Sequence, residues 1–203
     1  MNAVFWDVDT QADFMQPEGK LYVPGAETIA PNLAQLTDHA HARGIRIIAS
    51  ADDHSEDHEE ISATPDFTRT FPPHCLRGSA GQRRITETAL RDPLVIEPDG
   101  PLPNLTGHSG DILFHKHHFD VFTNPHVSPV IEALGVEDVT LYGVALDVCN
   151  RYAVEGLRRH HPKITLRVVA DAVQALDPAK GAQLLDAWGR QGVIVTSTAN
   201  VVQ

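Results

Sequence analysis

The chain has few cysteines and no long apolar run. Its 203 residues include two cysteines, Cys75 and Cys149, which lie far apart in the sequence. Two such cysteines do not make a disulfide framework, so we expect a protein of the reducing cytoplasm. No segment approaches the roughly 18 consecutive apolar residues of a membrane span, and the first residues lack the basic, apolar and small-residue regions of a secretory signal. The sequence therefore predicts neither a membrane protein nor a secreted one.

The chain also has fewer basic residues than acidic ones. There are 16 Lys and Arg against 27 Asp and Glu, which gives a net charge of −11, and the acidic residues are spread along the chain. A surface of this sign argues against nucleic acids and anionic membranes as partners. The expected partners are a small-molecule substrate and, separately, further copies of the chain in a homo-oligomer. The length fits a single domain over residues 1–203.

Apolar strand patterns alternate with helical patterns along the sequence. We predict strands at residues 3–9, 45–51, 93–97, 112–115, 138–143, 166–170 and 193–196, and helices at 31–43, 125–134, 149–159 and 177–190. The strands at 93–97 and 112–115 are short, and the pattern does not decide which of them joins the sheet. The alternation indicates a three-layer α/β fold with a mainly parallel sheet of about six strands between helices. The irregular segment that begins at Asp52 and extends to about Gly81 is too long for an ordinary connection, which is typical of a functional loop.

Reactive side chains follow several predicted strands. Asp9, Lys116 and Cys149 each lie at or just beyond a strand's C-terminal end, where parallel sheets bind ligands. A helix N-terminus and a nearby lysine both favour a thiolate, and a carboxylate can carry a proton between the thiol and a leaving group. Each residue also has an ordinary interpretation, since a free cysteine is often a small buried apolar residue and an aspartate or lysine often caps or solvates a loop.

Histidines and an aspartate follow the second predicted strand. Asp52 and His54 are two residues apart, and His58 and His74 lie in the long irregular segment. Carboxylate oxygen and imidazole nitrogen together suit Zn²⁺ or Fe²⁺, so this group predicts a metal site. The alternative is a polar loop stabilised by Asx-turns. Cys75 is left out of the ligand set because the side chains of adjacent residues in extended backbone diverge.

Five motifs in this order resemble the nicotinamidase branch of the isochorismatase-like cysteine hydrolases. They are Asp9-x-Gln11-x-Asp13-Phe14, Asp52-x-His54, the segment Phe71-Pro72-Pro73-His74-Cys75-Leu76-x-Gly78-Ser79-x-Gly81, Lys116, and Gly143-Val144-Ala145-Leu146-Asp147-x-Cys149. The similarity covers nearly the whole chain. The family fold, a parallel sheet between helices, agrees with the strand and helix pattern.

The resemblance implies a catalytic triad of Asp9, Lys116 and Cys149. It also implies a cis peptide between Val144 and Ala145, which places the Ala145 N–H beside the Cys149 N–H as an oxyanion hole. The expected reaction is attack of Cys149 on an amide carbon, loss of ammonia and hydrolysis of the thioester.

The same resemblance implies one divalent metal, zinc or iron. Its ligands would be Asp52, His54 and His74, with His58 at the position of an additional, variable one. The expected substrate is nicotinamide. The residues expected around its ring are Phe14, Phe71, Phe119 and Val144.

Several positions differ from the family pattern. Asp53 stands where an aromatic residue is usual, Phe71 replaces a tryptophan, and residues 117–122 differ from the usual Gly- and Ser/Tyr-rich stretch. Asn150 stands where a valine is usual, and Asp7 adds a carboxylate whose partner the sequence does not identify. These changes leave open an isochorismatase-like or N-carbamoyl-amide hydrolase with another small substrate, and a catalytically silent binding protein of the same fold.

Overall fold

The sheet is parallel throughout. A computed structural model of the chain describes residues 2–203, and within this range seven strands form one sheet. They are β1 (Ala3–Val8), β2 (Arg46–Asp52), β3 (Leu94–Ile96), β4 (Ile112–Lys116), β5 (Asp138–Val144), β6 (Thr165–Gln174) and β7 (Ile194–Thr196). The α/β prediction is confirmed. Both short candidate strands, β3 and β4, pair with each other, so the sheet has one strand more than expected.

Helices cover both faces of this sheet. They are α1 (Ala12–Met15), α2 (Ala30–Arg43), α3 (Val127–Ala133), α4 (Cys149–His160), α5 (Pro178–Arg190) and α6 (Thr198–Val201), with short 3₁₀ turns at Ala26–Ile29, Thr86–Thr88 and Val121–Thr123. Helices α2 and α6 pack on one face, and α3, α4 and α5 pack on the other. Within residues 2–203, no helix combines the length and the apolar character needed to cross a bilayer.

The alternation of side chains along the strands builds the two cores. In β1, Val4, Trp6 and Val8 face α3 and α4, whereas Phe5 faces α2. These four residues are all buried because helices cover both faces of the sheet, and this accounts for the continuous apolar run of β1 in the sequence. The helix signals also hold: Gly44 ends α2 in the left-handed conformation, and Asp177 caps α5 by accepting hydrogen bonds from Ala179 and Lys180.

The strand order places a cleft at one edge of the sheet. The order is β3-β4-β2-β1-β5-β6-β7, so β2, β3 and β4 all lie on one side of β1, and the chain then continues on the other side of β1 with β5. Such a reversal leaves a crevice beyond the C-terminal ends of the central strands. Gly143 lets β5 approach β1 closely there, since a Cβ at this position would lie 2.1 Å from the Val8 carbonyl oxygen. The loops after β1, β2, β4 and β5 therefore meet.

Candidate active site

The three predicted catalytic side chains meet in this crevice. Asp9 follows β1 with a left-handed φ of 50°, Lys116 ends β4, and Cys149 begins α4. The Lys116 Nζ lies 2.9 Å from Asp9 Oδ2 and 3.8 Å from Cys149 Sγ. Asp9 and Lys116 are completely buried, and Cys149 is nearly so. The structure thus brings together an acid, a base and a thiol in a setting from which bulk water is largely excluded.

The charges around Lys116 set the protonation states of the group. Lys116 also forms an ion pair with Asp52. Burial disfavours its charged form most strongly, yet the Asp52 and Asp9 carboxylates outweigh burial and raise the pKa of Lys116 well above its usual range. Burial raises the pKa of Asp9 despite Lys116. Lys116 therefore stays an ammonium, and Asp9 is a carboxyl group able to accept and release a proton.

The resting thiol is protonated, contrary to the expectation from the sequence. Burial raises the pKa of Cys149 well above its usual range, the nearby Lys116 lowers it, and Asp9 and Asp52 raise it further. The sequence located the lysine and the helix N-terminus that favour a thiolate, but not the extent of burial or the proximity of the second carboxylate. Formation of the nucleophile therefore requires a proton acceptor, and the Asp9 carboxyl, which shares its contact to Lys116 with the thiol, is placed to be that acceptor.

Two polar residues of the N-terminal motif hold the neighbouring loops. The Gln11 side chain donates to the Asp52 carbonyl oxygen at 2.8 Å and accepts from the Asp52 N–H at 2.7 Å. The Asp13 carboxylate accepts from the backbone N–H groups of Cys75 at 2.7 Å and Lys20 at 3.0 Å. These bonds tie the end of β2 and the loop around Cys75 to the segment that carries Asp9.

Ser50 orients Asp9, and the sequence analysis did not identify it. Its hydroxyl donates to Asp9 Oδ1 at 2.6 Å, and its carbonyl oxygen accepts from the Asp9 N–H at 3.2 Å. Ser50 lies inside the apolar pattern of β2, where a small polar residue carries no functional signal of its own. Its contribution is to leave Asp9 Oδ2 directed toward Lys116.

Two backbone N–H groups face the same crevice. The peptide between Val144 and Ala145 is cis, as the resemblance implied. Along the part of the chain that the structure describes, the N–H groups of Ala145 and Cys149 make no hydrogen bond, whereas the intervening Leu146 N–H donates to Gln174. Both residues line the cavity beside the thiol. They are therefore available to an oxygen that develops negative charge during acyl transfer.

Three metal-type donors converge next to Lys116. Asp52, His54 and His74 are buried, and they offer ligand atoms that all lie within 4.8 Å of one another. The Nε2 atoms of His54 and His74 each lie 3.7 Å from Asp52 Oδ2. Both ring nitrogens of His54 and the Nε2 of His74 are buried without a hydrogen-bond partner among the described residues. Buried polar atoms without partners are costly, so the donor set fits a bound divalent cation.

His58 lies beside these three residues, but its ring nitrogens are not among the donor atoms that converge. Its ring centroid is 4.8 Å from that of His54, and its ring also neighbours His117 at 5.3 Å. In the described residues the converging set contains only the other three side chains. A role for His58 as a ligand stays a prediction.

A largely apolar cavity of about 530 Å³ opens above the thiol. All four residues expected around the substrate ring line it, namely Phe14, Phe71, Phe119 and Val144. The rings of Phe71 and Phe119 meet edge to face with centroids 5.2 Å apart. Phe67 and Leu176 also line the cavity, although no motif in the sequence marked them. The cavity suits a flat apolar ligand whose reactive group reaches Cys149.

Arg84 is the partner that the sequence could not identify for Asp7. Its guanidinium forms an ion pair with Asp7 and donates to the Thr10 hydroxyl at 2.7 Å and to the Thr88 carbonyl oxygen at 3.2 Å. Asp7 is completely buried beneath Asp9. Arg84 lies 77 residues away in a loop without periodic pattern, so no local signal connects the two.

Comparison with known proteins agrees with this geometry. The isochorismatase domain model matches residues 6–200. The nicotinamidase/pyrazinamidase of Mycobacterium tuberculosis is 27% identical over 177 residues, which cover 81% of this chain and 82% of that protein. A probable inactive nicotinamidase of Arabidopsis thaliana is 22% identical over 87% of this chain and 83% of that protein.

A solved structure shows the same fold. The pyrazinamidase of Pyrococcus horikoshii, crystallised in complex with zinc, superposes with a TM-score of 0.76 at 21% identity, over 97% of this chain and 99% of that one. Together with the match to the domain model, this likeness confirms the family resemblance seen in the motifs. The chain therefore belongs to the isochorismatase-domain family, and it is a hydrolase of the kind that acts on small amides.

Proposed function

We propose that the chain is a metal-containing cysteine amidohydrolase that converts nicotinamide and water to nicotinate and ammonia. The observation that carries the proposal is the position of Lys116, whose Nζ lies between Asp9 and Cys149 at the buried end of an apolar cavity. The relative from Mycobacterium tuberculosis, a nicotinamidase/pyrazinamidase, supports the choice of substrate. Assembly as a homo-oligomer stays a prediction.

Acyl transfer to the thiol is the first half of the reaction. Cys149 Sγ attacks the amide carbon while Asp9 accepts the thiol proton, and the ammonium of Lys116 stabilises the charge that passes between them. The carbonyl oxygen becomes negative and accepts hydrogen bonds from the Ala145 and Cys149 N–H groups. The C–N bond then breaks, Asp9 returns its proton to the nitrogen, and ammonia leaves a thioester behind.

Hydrolysis of the thioester is the second half. Asp9, now a carboxylate, accepts a proton from an incoming water, and the hydroxide attacks the thioester carbon. The C–S bond breaks, and the sulfur takes the proton back from Asp9. Nicotinic acid is released, and the thiol and the carboxylate return to their starting states. Ser50 keeps Asp9 oriented through both halves because it holds Oδ1 and leaves Oδ2 free to exchange the proton.

Asp52, His54 and His74 would hold the divalent metal. One carboxylate and two imidazoles suit zinc or iron. When bound, the metal would supply a coordination position for the pyridine nitrogen of the substrate. Phe14 and Phe71 lie against His74, with ring centroids 5.8 Å and 6.3 Å from its imidazole, and they would hold the substrate ring in a plane that brings its carboxamide to Cys149.

The metal site can be tested by elemental analysis. We expect about one divalent ion per purified chain and a fall to background in His54→Ala, because this change removes a buried imidazole from the converging donors. His115→Ala is the matched control. His115 belongs to a second group of metal-type donors with Asp53 and Glu97, but Asp53 there is already bound by Arg77 and Gln82. Unchanged metal content in His54→Ala would place the ion elsewhere.

The substrate can be tested by release of ammonia from nicotinamide. The metal-replete protein should hydrolyse nicotinamide with ordinary saturation kinetics, because the apolar cavity fits the ring and the carboxamide can reach the thiol. The Cys149→Ala variant supplies the background. If the rate does not exceed that background, nicotinamide is not the substrate. A panel of small primary amides and N-carbamoyl amides then distinguishes another hydrolase of this family from a catalytically silent one.

A further inference from the structure

The entrance of the cavity carries exposed apolar side chains. Phe67 is 66% exposed and Leu176 is 49% exposed, and both line the cavity that reaches Cys149. Large apolar side chains in such positions commonly mark a surface that a ligand covers. We infer that the entrance binds an apolar substituent on the acyl part of the substrate, so that the preferred amides are larger than nicotinamide. This inference deepens the proposed function and rests on it.

Phe67 is held outward by a turn with many hydrogen bonds. The Asp66 carboxylate accepts from the backbone N–H groups of Thr68, Arg69 and Thr70 at 2.8 to 2.9 Å. The Phe67 N–H donates to the Thr70 carbonyl oxygen at 3.0 Å. Phe67 itself has a φ of 54°, a left-handed conformation that is unfavourable for an aromatic residue. The hydrogen bonds of this turn hold that conformation and leave the ring largely exposed at the cavity entrance.

Leu176 is tied to the loop that carries the nucleophile. The Asp147 carboxylate lies in the turn just before Cys149. It accepts from the N–H groups of Leu176 at 2.8 Å and Asp177 at 3.1 Å. The backbone at Leu176 is therefore held to the loop that precedes the thiol. The two sides of the entrance, Phe67 and Leu176, come from separate loops that are each held by an aspartate.

The size and depth of the cavity indicate which part of the substrate carries the substituent. A volume of about 530 Å³ is in the range that holds drug-sized ligands, and a single pyridine ring leaves much of it empty. Asp9 and Lys116 are completely buried behind the thiol and do not line the cavity. Because the leaving nitrogen must reach Asp9, a large group on that nitrogen would have no room. The substituent therefore belongs on the ring, pointing outward.

The charge of the lining limits the substituent further. In the described residues the lining has two charged side chains, the buried Asp52 at the inner end and the exposed Lys20 nearer the surface. Lys20 forms no ion pair with another described residue, so a cationic substituent would be repelled there. The class of substrate is thus a primary aromatic amide with an apolar, non-cationic group on the ring.

Calorimetry on the Cys149→Ala protein tests this inference without turnover. The probes are nicotinamide and its derivatives with a butyl group at ring position 4 or 5, the two free positions that are not adjacent to the ring nitrogen. We expect the tighter-binding butyl derivative to bind about tenfold more tightly than nicotinamide, because the butyl group fills apolar space that nicotinamide leaves empty. When Phe67→Gly is added, the ratio of the two affinities, butyl derivative to nicotinamide, should fall about tenfold. Glycine relieves the left-handed φ, so the free energy of unfolding should be kept or raised.

Further variants separate the outcomes. Leu176→Ala should also reduce the ratio, whereas Val195→Ala, which alters an exposed apolar residue on β7, should leave it unchanged. Weaker binding of both butyl derivatives than of nicotinamide, or a ratio unchanged by Phe67→Gly, overturns the inference. So does binding of none of the three amides. Tight binding of a butyl derivative, together with no hydrolysis of any of them by the unaltered enzyme, supports the entrance site and contradicts only the proposed reaction.

Discussion

Replacing Cys149 with alanine should lower amide hydrolysis by at least about 10⁴-fold, as expected when a covalent nucleophile is removed. Ammonia release under saturating substrate measures the effect. The free energy of unfolding should change by only about 1–2 kcal/mol, because one small side chain is lost at the start of α4. A large loss of activity with little loss of stability would assign the chemistry to the sulfur.

The second cysteine is the matched control. Cys75 is completely buried, and its backbone N–H donates to Asp13 Oδ2 at 2.7 Å. Its thiol points toward the Gly81 carbonyl oxygen, and Cys75 does not line the cavity that reaches Cys149, so this sulfur is not placed to attack a substrate there. Cys75→Ala should therefore keep measurable activity. Turnover retained by pure Cys149→Ala protein would remove Cys149 as the nucleophile.

Replacing Arg84 with methionine should lower the free energy of unfolding by about 3–5 kcal/mol, because it leaves the buried Asp7 carboxylate without its cation. Urea denaturation measures the loss. The double variant Asp7→Leu/Arg84→Met should recover most of it, since neither buried charge remains. Arg190→Met is the control, because its ion pair with Asp186 is exposed and contributes little. Equal losses in Arg84→Met and Arg190→Met would show that Arg84 does not stabilise Asp7.

The stability lost in Arg84→Met should depend on pH in a defined direction. Burial is the largest influence on Asp7 and raises the pKa of its carboxyl, and Arg84 opposes this increase. Without Arg84 the pKa in the folded protein rises further above that in the unfolded chain. A folded state that binds protons more tightly gains stability as the pH falls. The deficit of Arg84→Met relative to the unaltered protein should therefore shrink as the pH is lowered from about 7 to about 5.

Much of the candidate site could be predicted from the sequence, because its residues lie at the ends of strands. Asp9, Lys116 and Cys149 are separated by more than a hundred residues from first to last, yet each follows or ends a recognisable strand. In a parallel sheet those ends share one edge, so their meeting is a consequence of the fold class. His74 lies in the long irregular segment and follows no strand, so the sequence connected it with Asp52 and His54 by the chemistry of its imidazole and by the family resemblance, and only the structure shows the three together.

The sequence by itself determined the α/β fold and the edge at which the chemistry lies. Apolar periodicity and helix caps are local properties, and they persist whatever the rest of the chain does. Only the tertiary structure decided the contacts of the long loops, including Arg84 with Asp7 and Phe67 with the cavity entrance. The protonated state of Cys149 was likewise decided by burial and by a second carboxylate from another strand. Loops without periodicity take their path from hydrogen bonds to distant residues, such as Asp13 with Cys75, and those partners are assigned only when the chain is folded.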